Sequence, residues 1–155
     1  MQKRLIEMPA ARDMDENWLN LEPMAQVKLS SEDSGHPVEG ALLLTEGRGW
    51  LAARPGVQTI RLLFHQPQRL RRILLHFNEP AVNRTQEFTL RWSPDGGRSL
   101  RELLRQQYTF SPAGSTTEVE DLNVDLASVT ALELTIDPDQ GAGHARASLS
   151  AWRLA

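Results

Sequence analysis

VQTIRLLFHQPQRLRRILLHFNEPAVNRTQEFTLRW, residues 57 to 92, decides how the rest of the chain is read. Ile60, Leu62 and Phe64 fall on one parity, Arg61 and His65 on the other. Ile73, Leu75 and Phe77 then alternate with Arg72, Leu74 and His76, and Phe88, Leu90 and Trp92 with Glu87, Thr89 and Arg91. Period-2 alternation marks strands with one face on a core and one in water. The stretch predicts three successive strands, 57–65, 70–77 and 86–92. A turn is expected at Gln66-Pro67-Gln68, because proline fixes φ and offers no donor to a ladder. A longer polar loop from Asn78 to Thr85 separates the second strand from the third. An antiparallel sheet built this way needs a second layer over its apolar face.

The same punctuation continues on both sides. Upstream, AQVKLSS from residue 25 reads as a strand, SEDSGHP as a loop, VEGALLL as a short helical turn or buried run, and TEGRG as a Gly-rich turn before Trp50. Downstream, Pro94-Asp95-Gly96-Gly97 is a turn. Leu104, Gln106, Tyr108 and Phe110 alternate with Arg105, Gln107 and Thr109, and SPAGSTTE is a loop. Leu122, Val124 and Leu126 share one strand face, as do Leu132, Leu134 and Ile136 in a further strand. DPDQGAGH is a loop, and ARASLSAWRLA is the closing strand. About eight short strands with regularly spaced turns predict an all-β fold, an antiparallel jelly-roll β-sandwich. Residues 1–26 are expected to form a lead-in packed on the domain. Its segment MDENWLNLEPM reads as a short helix that Asp13 or Asp15 can cap, or as an irregular lead-in, with Trp18, Leu19 and Leu21 packing it onto the sandwich. Residues 27–155 form the sandwich.

A chain of 155 residues fits one domain with a real core. It has no cysteine, which excludes disulfides, thiolate chemistry and zinc-thiolate sites. The N-terminus has a basic start but no apolar run of signal-peptide length, and nothing approaches a membrane span. The expectation is a soluble, cytoplasmic protein with no membrane partner. The net charge of −3 hides an asymmetry: residues 48–105 hold eleven Arg against four acids, +7, and the remainder carries −10. Arginine suits planar contact with carboxylate or phosphate. Solvated strand faces paired with acids from elsewhere are the favoured reading, an anion-binding surface the other.

No catalytic set emerges. His36, His65, His76 and His144 show no close pair at ligand spacing, although His65 and His76 could face each other across adjacent strands. Ser30, Ser31 and His36 lack an elbow motif and an orienting acid. The acidic runs Asp13, Asp15, Glu16 and Glu118, Glu120, Asp121 suit solvated loops better than acid-base work. Gly47 and Gly49 are followed by no phosphate-binding lysine. The chain is expected not to be an enzyme and to need no cofactor and no metal.

Five segments together carry a resemblance: SSEDSGHPVEGALL from Ser30, GWLAARPGVQTIRLLF from Gly49, SPDGGRSLREL from Ser93, LELTIDP from Leu132 and ASLSAWRL from Ala147. They are similar to the galactose-binding-like jelly roll of coagulation-factor type C (discoidin) domains and related carbohydrate-binding modules, over residues 27–154. From Leu29 to Phe64 the chain also resembles the N-terminal domain of the eukaryotic scaffold protein of DNA single-strand-break repair. The resemblance implies the sandwich fold and a recognition role. It also implies that calcium, where such modules bind it, would sit between Leu43–Gly49 and Ser150-Ala151. Glu46 is the one carboxylate there, too few for a site of six to eight oxygens, so no calcium is expected.

Loops at the end of a rigid sandwich are free to carry recognition. Sugar modules of this kind use an aromatic platform together with His, Arg or Asn. The candidates here are His36, Arg48, Trp50, Arg54, Asn83, Arg84, His144 and Arg146. In the resembled families a Trp at the position of Trp50 usually fills the core, and Trp92 and Trp152 lie within strands. The expected function is a non-catalytic module for a carbohydrate or similar polar small ligand. The alternative is an intracellular scaffold that binds a protein, or less readily nucleic acid. It would use the arginine-rich face or an apolar patch centred on Leu63 and Leu74.

Overall fold

Two strands of 21 residues set the architecture in the computed structural model, which describes residues 17–45, 47–140 and 143–155. They are β3 (Gln58–Asn78) and β6 (Thr117–Asp137). A straight strand of that length would run about 70 Å, whereas a chain of this size folds to a radius of gyration of about 15 Å. Both strands therefore bend, and each runs through two layers of one continuous sheet. The remaining elements are β1 (Ala25–Leu29), a helical turn α1 (Glu39–Leu42), β2 (Trp50–Leu51), β4 (Arg84–Ser93), β5 (Arg101–Phe110), β7 (Ser148–Leu149) and β8 (Ala151–Leu154).

Every strand pairing is antiparallel. In one layer β1 pairs with the first half of β3, which pairs with the second half of β6, followed by β4 and β5. In the other, β8 pairs with the second half of β3, which pairs with the first half of β6. The inner faces meet through buried Ile60, Leu62, Leu75, Phe77, Phe88, Leu90, Leu134 and Trp152. Phe77 stacks on Phe88 with ring centroids 5.0 Å apart. The described part of the lead-in, residues 17–24, runs irregularly to a turn. Leu21 is buried in the core, and the Leu19 amide donates to the Leu154 carbonyl.

The expected turn at Gln66-Pro67-Gln68 is a correction. The strands read as 57–65 and 70–77 are one strand, and Pro67 lies at its corner, where the register against β6 shifts between Leu63 and Arg72. Proline is tolerated there because a bulge asks for no ladder donor. The inward parity changes with the shift, from Ile60 and Leu62 before the corner to Ile73 and Leu75 after it. The runs around Leu122 and Leu132, read as two strands, are likewise one strand, β6. His65 and His76 consequently lie on one strand on either side of the corner and are not cross-strand neighbours. Leu63 and Leu74, both outward-facing and half-buried, belong to different layers and cannot centre one patch.

Most of the arginine block is internally neutralised. On the outer face of the larger sheet Glu133 lies between Arg61 of β3 and Arg91 of β4, in register with both, and pairs with each. Arg69 pairs with Asp125 at 2.6 Å, Arg72 with Asp121 at 2.6 Å, and Arg105 with Glu87 and Glu102 at 3.0 Å. No helix among the described residues is long and apolar enough to cross a membrane.

Candidate functional site

At one end of the sandwich the short β2–β7 pair, with Trp50 opposite Leu149 and Leu51 opposite Ser148, forms the floor of a recess of 420 Å³. That volume suits a small ligand. Two glycines allow the floor to close. A Cβ on Gly40 of α1 would lie 2.6 Å from the Gly49 carbonyl oxygen. Gly49 itself has φ +71°, the left-handed region, and its α-carbon faces the Leu149 carbonyl. The segment before Trp50 is thereby pressed between α1 and β7.

One wall is the turn 33–36, fixed to β2 by backbone bonds from the Asp33 amide to the Leu51 carbonyl (2.8 Å) and from the Leu51 amide to the His36 carbonyl (3.2 Å). The His36 ring Nδ1 is 3.3 Å from Asp33 Oδ2. The His36 ring and then the Gly35 amide hold the Asp33 carboxyl below its usual range, and Arg146 adds to the effect. Arg146 reaches in from the loop before β7. It donates to the Ala52 carbonyl at 3.3 Å, with Asp33 Oδ1 at 3.7 Å. Arg48 borders the same space.

Asn78, Glu79 and Pro80, where β3 ends, also line the recess. Glu79 accepts from Arg84 Nε at 2.8 Å and from the Ala81 amide at 3.2 Å. Arg84 is buried beneath it and also donates to Gln86 Oε1 (3.2 Å) and the Pro138 carbonyl (2.8 Å), with its guanidinium over the Phe110 ring. Gln86 in turn donates to Glu118 Oε1 at 3.1 Å. A continuous buried polar chain therefore runs from the recess into the core. Glu118 is 3% exposed, and no donor reaches its Oε2 among the described residues. Burial first, then a hydrogen bond with Glu120, pushes the Glu118 carboxyl up to about 7. A desolvated carboxyl facing a second carboxylate keeps its proton.

His36, Arg48, Trp50 and Arg146 are thus brought together around one space, while Arg54, Asn83 and His144, all exposed, do not line it. Two of the expected ligand contacts need correction. Trp50 is 1% exposed with its indole N–H donating to the Ser31 carbonyl at 3.0 Å, so its faces are spent on the core and it offers no stacking platform. Arg84 supports Glu79 from below and presents no surface of its own. Asn78, Glu79, Ser148 and Ser150 line the recess and were not singled out. The polar loop after Phe77 was visible in the sequence, but the Arg84–Glu79 pairing that aims Glu79 was not. Among the described residues no cluster of three or more His, Asp or Glu could hold a metal ion, and Glu46 lies outside them.

No family model matches the chain, and no curated protein matches it. Solved structures do. A pectin-binding carbohydrate-binding module is 18% identical with a TM-score of 0.60, over 84% of this chain and 89% of the module. Module CBM32-3 of a Clostridium perfringens family 31 glycoside hydrolase is 13% identical with a TM-score of 0.65, over 96% of this chain and 98% of that one. XRCC1, solved bound to the DNA polymerase β catalytic domain, is 18% identical with a TM-score of 0.58, over 86% and 98%. At these identities the likeness is one of fold: the chain shares the antiparallel jelly-roll β-sandwich of these structures.

Proposed function

We propose that this protein is a non-catalytic recognition module that takes a carbohydrate in the recess above β2 and β7. The observation that carries the reading is convergence. His36, Arg48 and Arg146 from three loops and Asn78 and Glu79 from a fourth segment surround one 420 Å³ space. Two of these groups are locked from behind, Glu79 by Arg84 and His36 by Asp33. Ring hydroxyls need donors and acceptors on fixed supports, which this arrangement supplies, and the likeness to carbohydrate-binding modules agrees with it. The test is a glycan array probed with the wild type and with Arg146→Ala. A saturable signal that the variant loses supports the reading; a blank array from folded protein counts against it.

The scaffold reading draws on the likeness to XRCC1 bound to a polymerase domain. The ion pairs across the arginine faces weaken its nucleic-acid form, leaving a protein partner as its stronger version.

A further inference from the structure

We infer that the recess selects an acidic sugar, a saccharide unit bearing a single carboxylate, over its neutral counterpart. This deepens the carbohydrate reading and rests on it. Three guanidinium groups, of Arg48, Arg84 and Arg146, surround or underlie the space, against the two carboxylates of Asp33 and Glu79. Among the described residues the excess is one positive charge with His36 neutral. Both carboxylates are already engaged. Asp33 accepts from the Gly35 amide at 3.1 Å and faces the His36 ring, and Glu79 accepts from Arg84 and from the Ala81 amide.

The cations are less committed. Arg48 has no carboxylate partner among the described residues. Arg146 uses Nη1 for the Ala52 carbonyl, and its 3.7 Å separation from Asp33 is longer than a hydrogen bond. A guanidinium presents five donors in a planar fork that matches a carboxylate. A monoanion balances the excess charge, whereas a phosphate dianion would overshoot it.

The apolar lining points the same way. It consists of Leu51, Pro80 and Leu149 with the buried Trp50, so no exposed aromatic face is available for a sugar ring. A neutral sugar would have hydroxyl hydrogen bonds alone, each of small net worth in water. A carboxylate adds charge-assisted bonds about twice as strong.

The test is calorimetric titration at low salt with D-galacturonate, D-glucuronate and D-mannuronate, their methyl esters, neutral D-galactose, and acetate as a carboxylate without a sugar. At least one uronate should bind about tenfold more tightly than its ester, since the extra strength of a charge-assisted hydrogen bond corresponds to roughly that factor in affinity. The preference should shrink in Arg48→Ala and Arg146→Ala, with melting temperature confirming the fold. Arg48 has no ion pair among the described residues to lose, so its variant reports on binding even if Arg146→Ala is unstable. Acid and ester of equal affinity would overturn the charge preference and leave a carbohydrate site. Acetate as tight as the uronates would make the recess a plain anion site and overturn the proposal. No binding by any sugar would remove the carbohydrate reading and this inference together.

Discussion

Glu118 is the residue whose surroundings make the sharpest claim. Its carboxyl titrates at about 7 in the folded protein against an ordinary 4.5, with burial the leading cause. The folded state therefore binds more protons than the unfolded state between those values, and stability falls as pH rises through that window. The loss is roughly 3 kcal/mol and levels off above about pH 7. Urea unfolding at pH 5, 6, 7 and 8 should show this decline, and Glu118→Gln should flatten it while raising stability at pH 8. A decline unchanged in Glu118→Gln would assign it to another group. Arg84 carries a second prediction. Its side chain is fully buried, and Arg84→Ala strips the partner from Glu79, Gln86 and the Pro138 carbonyl. The expected cost is about 3 kcal/mol, as for breaking other buried pairs, read as a lower urea midpoint.

At the scale of elements, the loop before Trp50 depends on the contact between α1 and Gly49. A Cβ at Gly40 must move backbone, because the atom it meets is the Gly49 carbonyl oxygen at 2.6 Å. Gly40→Ala should cost about 1–3 kcal/mol, the range for overpacking a filled site, and should weaken sugar binding through a displaced Arg48. Thermal melting and titration of the same variant check both halves. The strands were legible because alternation in Ile60, Leu62, Phe64 and in Ile73, Leu75, Phe77 reports which face is buried. Their joining into one strand was not legible, because a corner proline and a turn proline look alike in sequence. What distinguishes them is the partner β6, which bends alongside. The site was half legible for a similar reason. His36, Arg48 and Arg146 stand in polar loops that any reading would mark. Glu79 matters through a buried arginine five residues on, whose guanidinium is covered by Phe110, its register partner on the adjacent strand β5.

For the whole molecule, the charge asymmetry of the sequence becomes a set of cross-strand pairs. Six of the arginines between residues 48 and 105 face carboxylates: Arg61, Arg69, Arg72, Arg84, Arg91 and Arg105. Duplex DNA should accordingly bind only weakly and be released between about 50 and 200 mM salt, as sequence-independent phosphate contacts are. Fluorescence anisotropy on a labelled duplex checks this, and tight binding that survives the higher salt would revive the nucleic-acid reading. The recognition site proposed above lies instead at the loop end, where the sandwich holds several loops around one space. The most direct measurement of that claim is an amide chemical-shift map of the wild-type protein titrated with the uronates and with galactose. Saturable shifts confined to residues 33–36, 48–51, 78–81 and 146–150 are expected. Shifts on the outer sheet faces, or none with any sugar while the spectrum stays folded, would contradict that claim.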